Sequence, residues 1–388
     1  MTTTPHTTSA SAMAGANSRP QQRADRRLGQ RTLAALSFRN IGAVYVWLLI
    51  ILIFSIWVPS TFPTRTTFNQ LLNDNAVTGL MALSVVIPLA ARVFDLSIAF
   101  TMSLSAVVVA HFIAVSGTGM APAIGLALGA ALIVGVVNGT VVVILRVDSF
   151  IATLATGSII AAFITMVTND VAITDVKLLE KPFSSIAQTE VGGITLPVLY
   201  VVIAATAIWF VLEHTATGRR LYATGFNADS ARLQGVPTDR LRFLSLVTSA
   251  LLAGVAGVVF VSSIGSGAPD AGTPYLLSSY AAAFVGATQL RAGRFNAWGT
   301  VIAVLLLGTG TIGLSLASAP SWASNLFTGI VLILALVLTG GRISLPSRLR
   351  RRAATPAAVP DPTQAAGGPP PPDLLEQSTP VNPTRRLP

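Results

Sequence analysis

Apolar runs of roughly 17–25 residues, the length of helix that crosses a bilayer, recur along this chain with short polar gaps between them. They fall at 41–58, 72–91, 97–115, 121–145, 150–168, 195–212, 243–264, 275–290, 297–316 and 322–339. The pattern predicts an all-α fold, a polytopic transmembrane helix bundle of about ten spans. Pro88 and Pro122 fall inside the runs. Spans tolerate proline because neighbouring helices satisfy the freed backbone groups. Small residues recur at helix-packing spacing in Gly125-Leu126-Ala127-Leu128-Gly129 and Gly254-Val255-Ala256-Gly257. That spacing predicts close helix approach rather than a substrate contact.

The gaps carry the charge, and they carry it unevenly. With the N-terminus inside the cell, all of the 25 Lys and Arg residues except Arg65, Lys177 and Lys181 lie on the cytoplasmic side. Basic residues near span ends are retained there, so the bias predicts that both termini are cytoplasmic. The longest external loop, 169–194, is mildly acidic, with Asp170, Asp175, Glu180 and Glu190. The longest internal loop, 213–242, is basic, with Arg219, Arg220, Arg232, Arg240 and Arg242.

Three segments follow. Residues 1–40 form a Thr/Ser/Ala/Gln-rich, then Arg-rich, disordered cytoplasmic tail; 41–344 form the transmembrane domain; 345–388 form a Pro-rich disordered cytoplasmic tail. The first apolar run reads as a retained span rather than a cleaved leader, because it starts deep in the chain and no small-residue cleavage site follows it.

Composition narrows the function. Only 10% of the residues are charged, against roughly 25% in soluble domains, and 52% are hydrophobic. The formal net charge of +10 is explained by topology and by attraction to anionic lipid rather than by nucleic-acid binding. The absence of cysteine excludes disulfides, thiolate metal sites and thiol nucleophiles. There is no H-E-x-x-H, no G-x-S-x-G and no Gly-Lys-Ser/Thr, so neither a catalytic motif nor a Walker A loop is present and the chain is not expected to be an enzyme. Energy from ATP would have to come from another subunit.

Ionisable groups inside spans persist for a purpose, and few are visible. Arg92 and Asp95 stand between the second and third runs. One reading is a short internal turn with the two locally paired; the other is a polar element re-entering the bundle beside a pathway. Such sparse charge suits a neutral, polyhydroxylated cargo better than an ion. The internal loop carries helix punctuation: Asn227 as cap, Asp229 at the positive end of the dipole, Ala231 and Arg232 propagating, and Gly235 at the left-handed stop before Pro237. A two-turn helix over Asn227–Gln234 is marginal alone, so it is expected to dock on lipid or in a partner's groove.

This loop resembles the coupling segment of the ribose/xylose/galactoside-type permease family of ATP-binding-cassette (ABC) importers, whose pattern is approximately G-R-x-x-Y-A-x-G-x-N-x-x-A-A-x-x-x-G-[IV]. Gly218, Arg219, Tyr222, Ala223, Gly225, Asn227, Ala231, Gly235 and Val236 match it, and Ser230 departs. Asp95-Leu96-Ser97-Ile98 resembles the family's G-[IV]-D-L-S-[VI]-G element. Asn138-Gly139 with Ser149-Phe150-Ile151-Ala152-Thr153-Leu154 resembles its N-G…P-x-F-I-x-T-L-G run. Similar stretches continue at Ala268–Gly272 and Val285–Leu290. The departures are Arg92-Val93-Phe94 for a Gly-Gly-Ile-like lead-in, Ala155 for Gly, and Arg291–Phe295 within a Gly-rich turn.

The resemblance implies a multi-pass permease subunit in a bacterial cell membrane. Two permease chains, homo- or heterodimeric, would form one pathway for a monosaccharide. Separate ABC ATPase subunits would hydrolyse ATP, so this chain would carry no cofactor. An extracytoplasmic substrate-binding protein would deliver the cargo. Gly225, Asn227, Asp229, Ala231, Arg232 and Gly235 would couple to the ATPase; Asp95, Ser97, Asn138, Phe150 and Thr153 would line or support the pathway. The competing readings are a branched-chain amino-acid or nucleoside ABC permease, an ATP-independent secondary carrier, and a non-transporting membrane scaffold or intramembrane enzyme.

Overall fold

The computed structural model describes residues 38–288 and 293–340. Apart from Phe38–Asn40, the expected tails lie outside them. Helix follows helix: α1 (Phe38–Trp57), α2 (Arg65–Asp74), α3 (Ala76–Ala90), α4 (Ile98–Ala114), α5 (Met120–Gly139, continued by a π turn to Ile144), α6 (Ser149–Thr168) and α7 (Ser185–Gln188). Then come α8 (Leu196–His214), α9 (Ala216–Phe226), α10 (Ala228–Leu233), α11 (Thr238–Ile264), α12 (Thr273–Ala287), α13 (Ala297–Leu316) and α14 (Ser321–Gly340). The departure from an all-helical chain is small. The two-residue strands β1 (Ile173–Thr174) and β4 (Ser266–Gly267) pair antiparallel, as do β2 (Glu190–Val191) and β3 (Ile194–Thr195).

The apolar runs do become helices, and among the described residues fewer than ten are both long and apolar enough to cross a bilayer. Met120–Ile144, Ser149–Thr168, Leu196–His214, Thr238–Ile264 and Ala297–Leu316 are long and apolar enough, and α2 with α3 makes a sixth, bent by 43° at Asn75. α1 and α14 are each 20 residues long, with Val44–Trp57 and Ser321–Ala335 as their described apolar stretches; α4 has 17 residues, and the run 275–290 folds as the 15-residue α12. α4 and α12 are shorter than their runs because a helix ends where its hydrogen-bond ladder is capped, whereas apolar composition continues into the turns.

Side-chain oxygens set many of these boundaries. Asp148 accepts from the N–H groups of Phe150 and Ile151 to open α6, Asn296 accepts from Gly299 N–H at 2.7 Å to open α13, and Thr215 accepts from Gly218 N–H to open α9. Each such cap contributes about 1 kcal/mol.

α3 and α11 form the centre. Leu80, Met81, Leu83, Val85 and Val86 of α3 are almost entirely buried, and so are Leu246, Val259 and Val261 of α11. A helix apolar all round is stable either in a core or against lipid. α3 takes the first place, while α6 and α8 expose Ile151, Ile159, Phe163, Ile203 and Phe210 on the outside. The expected small-residue packing divides: side chains added at Gly254 and Gly257 would strike α5 and α4, whereas Gly125 and Gly129 meet nothing within the chain. Trp47 Nε1 donates to Thr309 Oγ1 at 2.8 Å and ties α1 to α13. The acidic 169–194 segment is fastened to the bundle: Lys177 Nζ donates to Ala114 O, and Ser262 Oγ accepts from Ala187 N–H and donates to Phe183 O.

Candidate functional site

Two places collect the polar groups singled out in the sequence. The first is the break between α3 and α4. Arg92 adopts a left-handed backbone, φ 55°, and ends the helix that began at Ala76. The following residues form no helix, so their N–H groups need partners inside an apolar bundle. Side-chain hydroxyls of two other helices supply them. Phe94 N–H donates to Ser149 Oγ at 3.1 Å, Asp95 N–H to the Tyr280 hydroxyl at 3.0 Å, and Leu96 N–H to Thr153 Oγ1 at 3.0 Å. α6 therefore supplies two of the acceptors and α12 the third.

The Asp95 carboxylate turns back to start α4. Its Oδ1 accepts from Ser97 N–H at 3.1 Å and from Ser97 Oγ at 2.6 Å, and Ser97 Oγ accepts from Asn138 Nδ2 of α5 at 2.7 Å. Asp95, Ser97, Asn138 and Thr153 are fully buried. Ser249 of α11 lies beside the same carboxylate, and its Oγ has no hydrogen-bond partner. Asp95 Oδ2, Asn138 Oδ1, Ser249 Oγ and Ser279 Oγ are left without partners. Buried polar atoms of this kind cost about 1–3 kcal/mol each when unmet, so the cluster is a place where the fold concedes stability.

Four of the five expected pathway residues thus sit in one network joining α4, α5 and α6. Phe150 stands apart, half exposed on the outer face of α6. The local Arg92–Asp95 pairing is not found; among the described residues the single ion pair is Arg232–Asp239, and Arg92 is exposed while Asp95 is buried. Sequence reasoning missed Tyr280, Ser149 and Ser249. A tyrosine in the middle of an apolar run was the available signal, since a buried phenol needs a partner.

The second place is the surface hairpin α9–α10. Gly225 permits it: a side chain there would run into the backbone of Ala90 and Ala91, so α9 packs against the end of α3 with no room for a Cβ. Asn227, extended at φ −155°, ends α9 and caps α10, its Oδ1 accepting from Ser230 N–H at 2.9 Å. Asp229 lies in the first turn and Arg232 in the last, the arrangement the helix dipole favours. Ala231 is buried against the bundle, and Gly235 turns the chain at φ 77°. Arg232 Nη2 meets Asp239 Oδ1 at 2.6 Å and fixes α10 to the start of α11. The two large apolar side chains at either end point outward: Phe226 is 87% exposed and Leu233 90%.

Among the described residues no group of three His, Asp or Glu side chains could hold a metal ion. The family described as "Branched-chain amino acid transport system / permease component" matches residues 67–336. The ribose import permease protein RbsC of Escherichia coli strain K12 is 31% identical over 294 residues, covering 75% of this chain and 90% of that protein. The ribose import permease protein RbsC of Bacillus subtilis strain 168 is 31% identical over 300 residues, 77% of this chain and 92% of its own length. The L-arabinose ABC transporter permease protein AraH of Azospirillum brasilense is 29% identical over 297 residues, 76% and 86% respectively. No solved structure matches the chain. A match over most of the helical domain, with relatives covered nearly end to end, means that this multi-pass membrane protein belongs to the permease-component family of branched-chain amino acid and related transport systems.

Proposed function

We propose that this chain is the membrane-spanning permease subunit of an ABC importer for a monosaccharide, working in a bacterial plasma membrane with both termini in the cytoplasm. The observation that carries the reading is α10. A six-residue helix, too short to be stable alone, is capped at both ends, pinned by an ion pair and flanked by exposed Phe226 and Leu233. Phe226 and Leu233 are the groups proposed to enter a partner's apolar groove. An ABC ATPase subunit is the partner proposed for it, and that subunit would bind and hydrolyse the ATP.

Several relatives carry sugar names, for ribose, allose, fructose and arabinose, and this favours a sugar over a branched-chain amino acid. An extracytoplasmic binding protein would deliver the sugar, and a second permease chain would complete the pathway. The Asp95–Ser97–Asn138–Thr153 network would brace the pathway wall from behind, and Phe150 would face the second chain or lipid. About ten spans follow if α1, α4, α12 and α14 also cross the bilayer, which packing partners and local thinning allow for the shorter α4 and α12. Transport would then be a two-state switch between outward- and inward-facing bundles, biased by ATPase closure through α10.

The test is co-purification and uptake. The tagged chain, extracted gently from its host, should bring a stoichiometric ABC ATPase. Uptake of labelled ribose or another pentose should stop when that ATPase is deleted and survive collapse of the ion gradients. Uptake that follows the ion gradient and ignores the ATPase would assign the chain to secondary carriers instead.

A further inference from the structure

Two departures from the family pattern, Arg92 and Arg294, are about 200 residues apart in sequence yet line one cavity. Arg219 of α9 joins them. The cavity measures about 810 Å³, within the range of small-molecule sites. It lies where α3, α8 and α12 end, beneath the α9 segment. Three arginines face one carboxylate, Glu213, and no ion pair among the described residues involves Arg92, Arg219 or Arg294. Arg294 lies over the Tyr222 ring at 5.4 Å, and Tyr222 donates its hydroxyl to Phe295 O at 2.7 Å, so that guanidinium is held in place. Arg92 occupies a left-handed backbone that L side chains avoid, yet a guanidinium stands there.

The apolar half of the cavity has a direction. Phe284 and Phe295 form its walls, and the outward-pointing Phe226 touches only its rim. On α8, Trp209 and Phe210 precede Glu213 by one turn and so share its face. Both are exposed, 37% and 57%. The two rings pack on His214, with centroids at 4.4 and 5.8 Å, and so lie beside the cavity rather than in its lining, an apolar surface one turn along α8 from Glu213 and the guanidinium groups. Guanidinium forks match phosphate oxygens, and basic pockets at the ends of spanning helices collect anionic headgroups.

We infer that this cavity binds the phosphate headgroup of an anionic phospholipid, with an acyl chain lying along Trp209 and Phe210. The inference needs the chain to sit in a bilayer but not the transport of any sugar, so the two can fail separately. Native mass spectrometry of the delipidated full-length chain, titrated with dioleoyl phosphatidylglycerol or dioleoyl phosphatidylcholine, tests it. Phosphatidylglycerol should bind about tenfold tighter or more, and Arg219→Gln should weaken it about fivefold, the value of one basic residue at an anionic headgroup. Arg92→Gly, which suits the left-handed backbone, should weaken phosphatidylglycerol similarly while raising thermal stability. Arg220→Gln, an exposed neighbour outside the cavity, should change nothing.

Equal binding of the two lipids would overturn the proposal, as would an equal loss in Arg220→Gln, which would make the attraction diffuse. Full displacement by millimolar inorganic phosphate would assign the site to free phosphate. Expulsion of the lipid when an ATPase co-assembles would assign the cavity to that protein.

Discussion

The junction at Phe94–Leu96 makes a demanding prediction because its backbone is buried and borrows its acceptors. Replacing Tyr280 by Phe keeps the ring, its contact with Phe94 and its packing against Phe284, and deletes only the oxygen that accepts from Asp95 N–H at 3.0 Å. Tyr280 is 7% exposed and Asp95 fully buried, so water has little access to replace the acceptor. An orphaned buried donor costs about 1–3 kcal/mol. Conversion at 1.4 kcal/mol per tenfold gives an increase of about 5- to 150-fold in the local opening equilibrium. The apparent melting temperature in detergent should fall by about 2–4 °C per kcal/mol or somewhat less for a domain of this length. Hydrogen–deuterium exchange read by mass spectrometry resolves the local effect. The peptide covering Arg92–Ser97 should exchange faster in Tyr280→Phe, while peptides from α5 and α8 stay as they were. Unchanged exchange at Asp95 would mean that its N–H has another partner, and the account of the break as a backbone held by borrowed hydroxyls would be wrong.

Other expectations concern the same two places. Asp95→Asn should cut sugar uptake several-fold while leaving membrane insertion near normal, since the amide still fills the space and can still accept from Ser97; transport equal to the parent would make Asp95 a purely structural residue. Gly225→Ala should lower stability by about 1–3 kcal/mol, the cost of overpacking where the neighbour is backbone and cannot yield; a thermal scan showing no loss would remove the tight α9–α3 contact. Asn227→Ala should cost about 1 kcal/mol of local stability by removing the cap, and should weaken ATPase binding more than global unfolding. Arg232→Glu should leave folding almost intact, because both partners are about half exposed and such pairs contribute about 0–1 kcal/mol. It should nevertheless uncouple ATP hydrolysis from uptake, and normal stimulation of the ATPase by this variant would count against α10 as the coupling element.

Much of the membrane character was open to reading in the chain itself. The apolar runs place every long helix to within a few residues, because burial in core and burial in lipid impose the same composition. The cap–helix–stop grammar of Asn227, Asp229 and Gly235 is local, and local signals survive folding: α10 runs Ala228–Leu233 with Asn227 as its cap. The count of crossing helices was less legible, since composition does not reveal that the run 72–91 is bent by 43° at Asn75 or that Arg92 closes the same run in a left-handed turn.

Only the tertiary structure decided which polar groups meet. Asp95, Asn138, Ser149, Thr153 and Tyr280 come from four separated stretches, and nothing in their spacing tells that the N–H groups of one break are accepted by the hydroxyls of two distant helices. Phe150 is adjacent to this set in sequence and outside it in space, because a helix turns each successive side chain by about 100° and Phe150 faces outward. Arg92, Arg219 and Arg294 were each legible as charges at span ends, but their convergence on one cavity depends on how α3, α9 and α12 pack. Hydrophobicity fixes which segments leave water; the direction of each polar side chain waits for the packing that leaves it a partner.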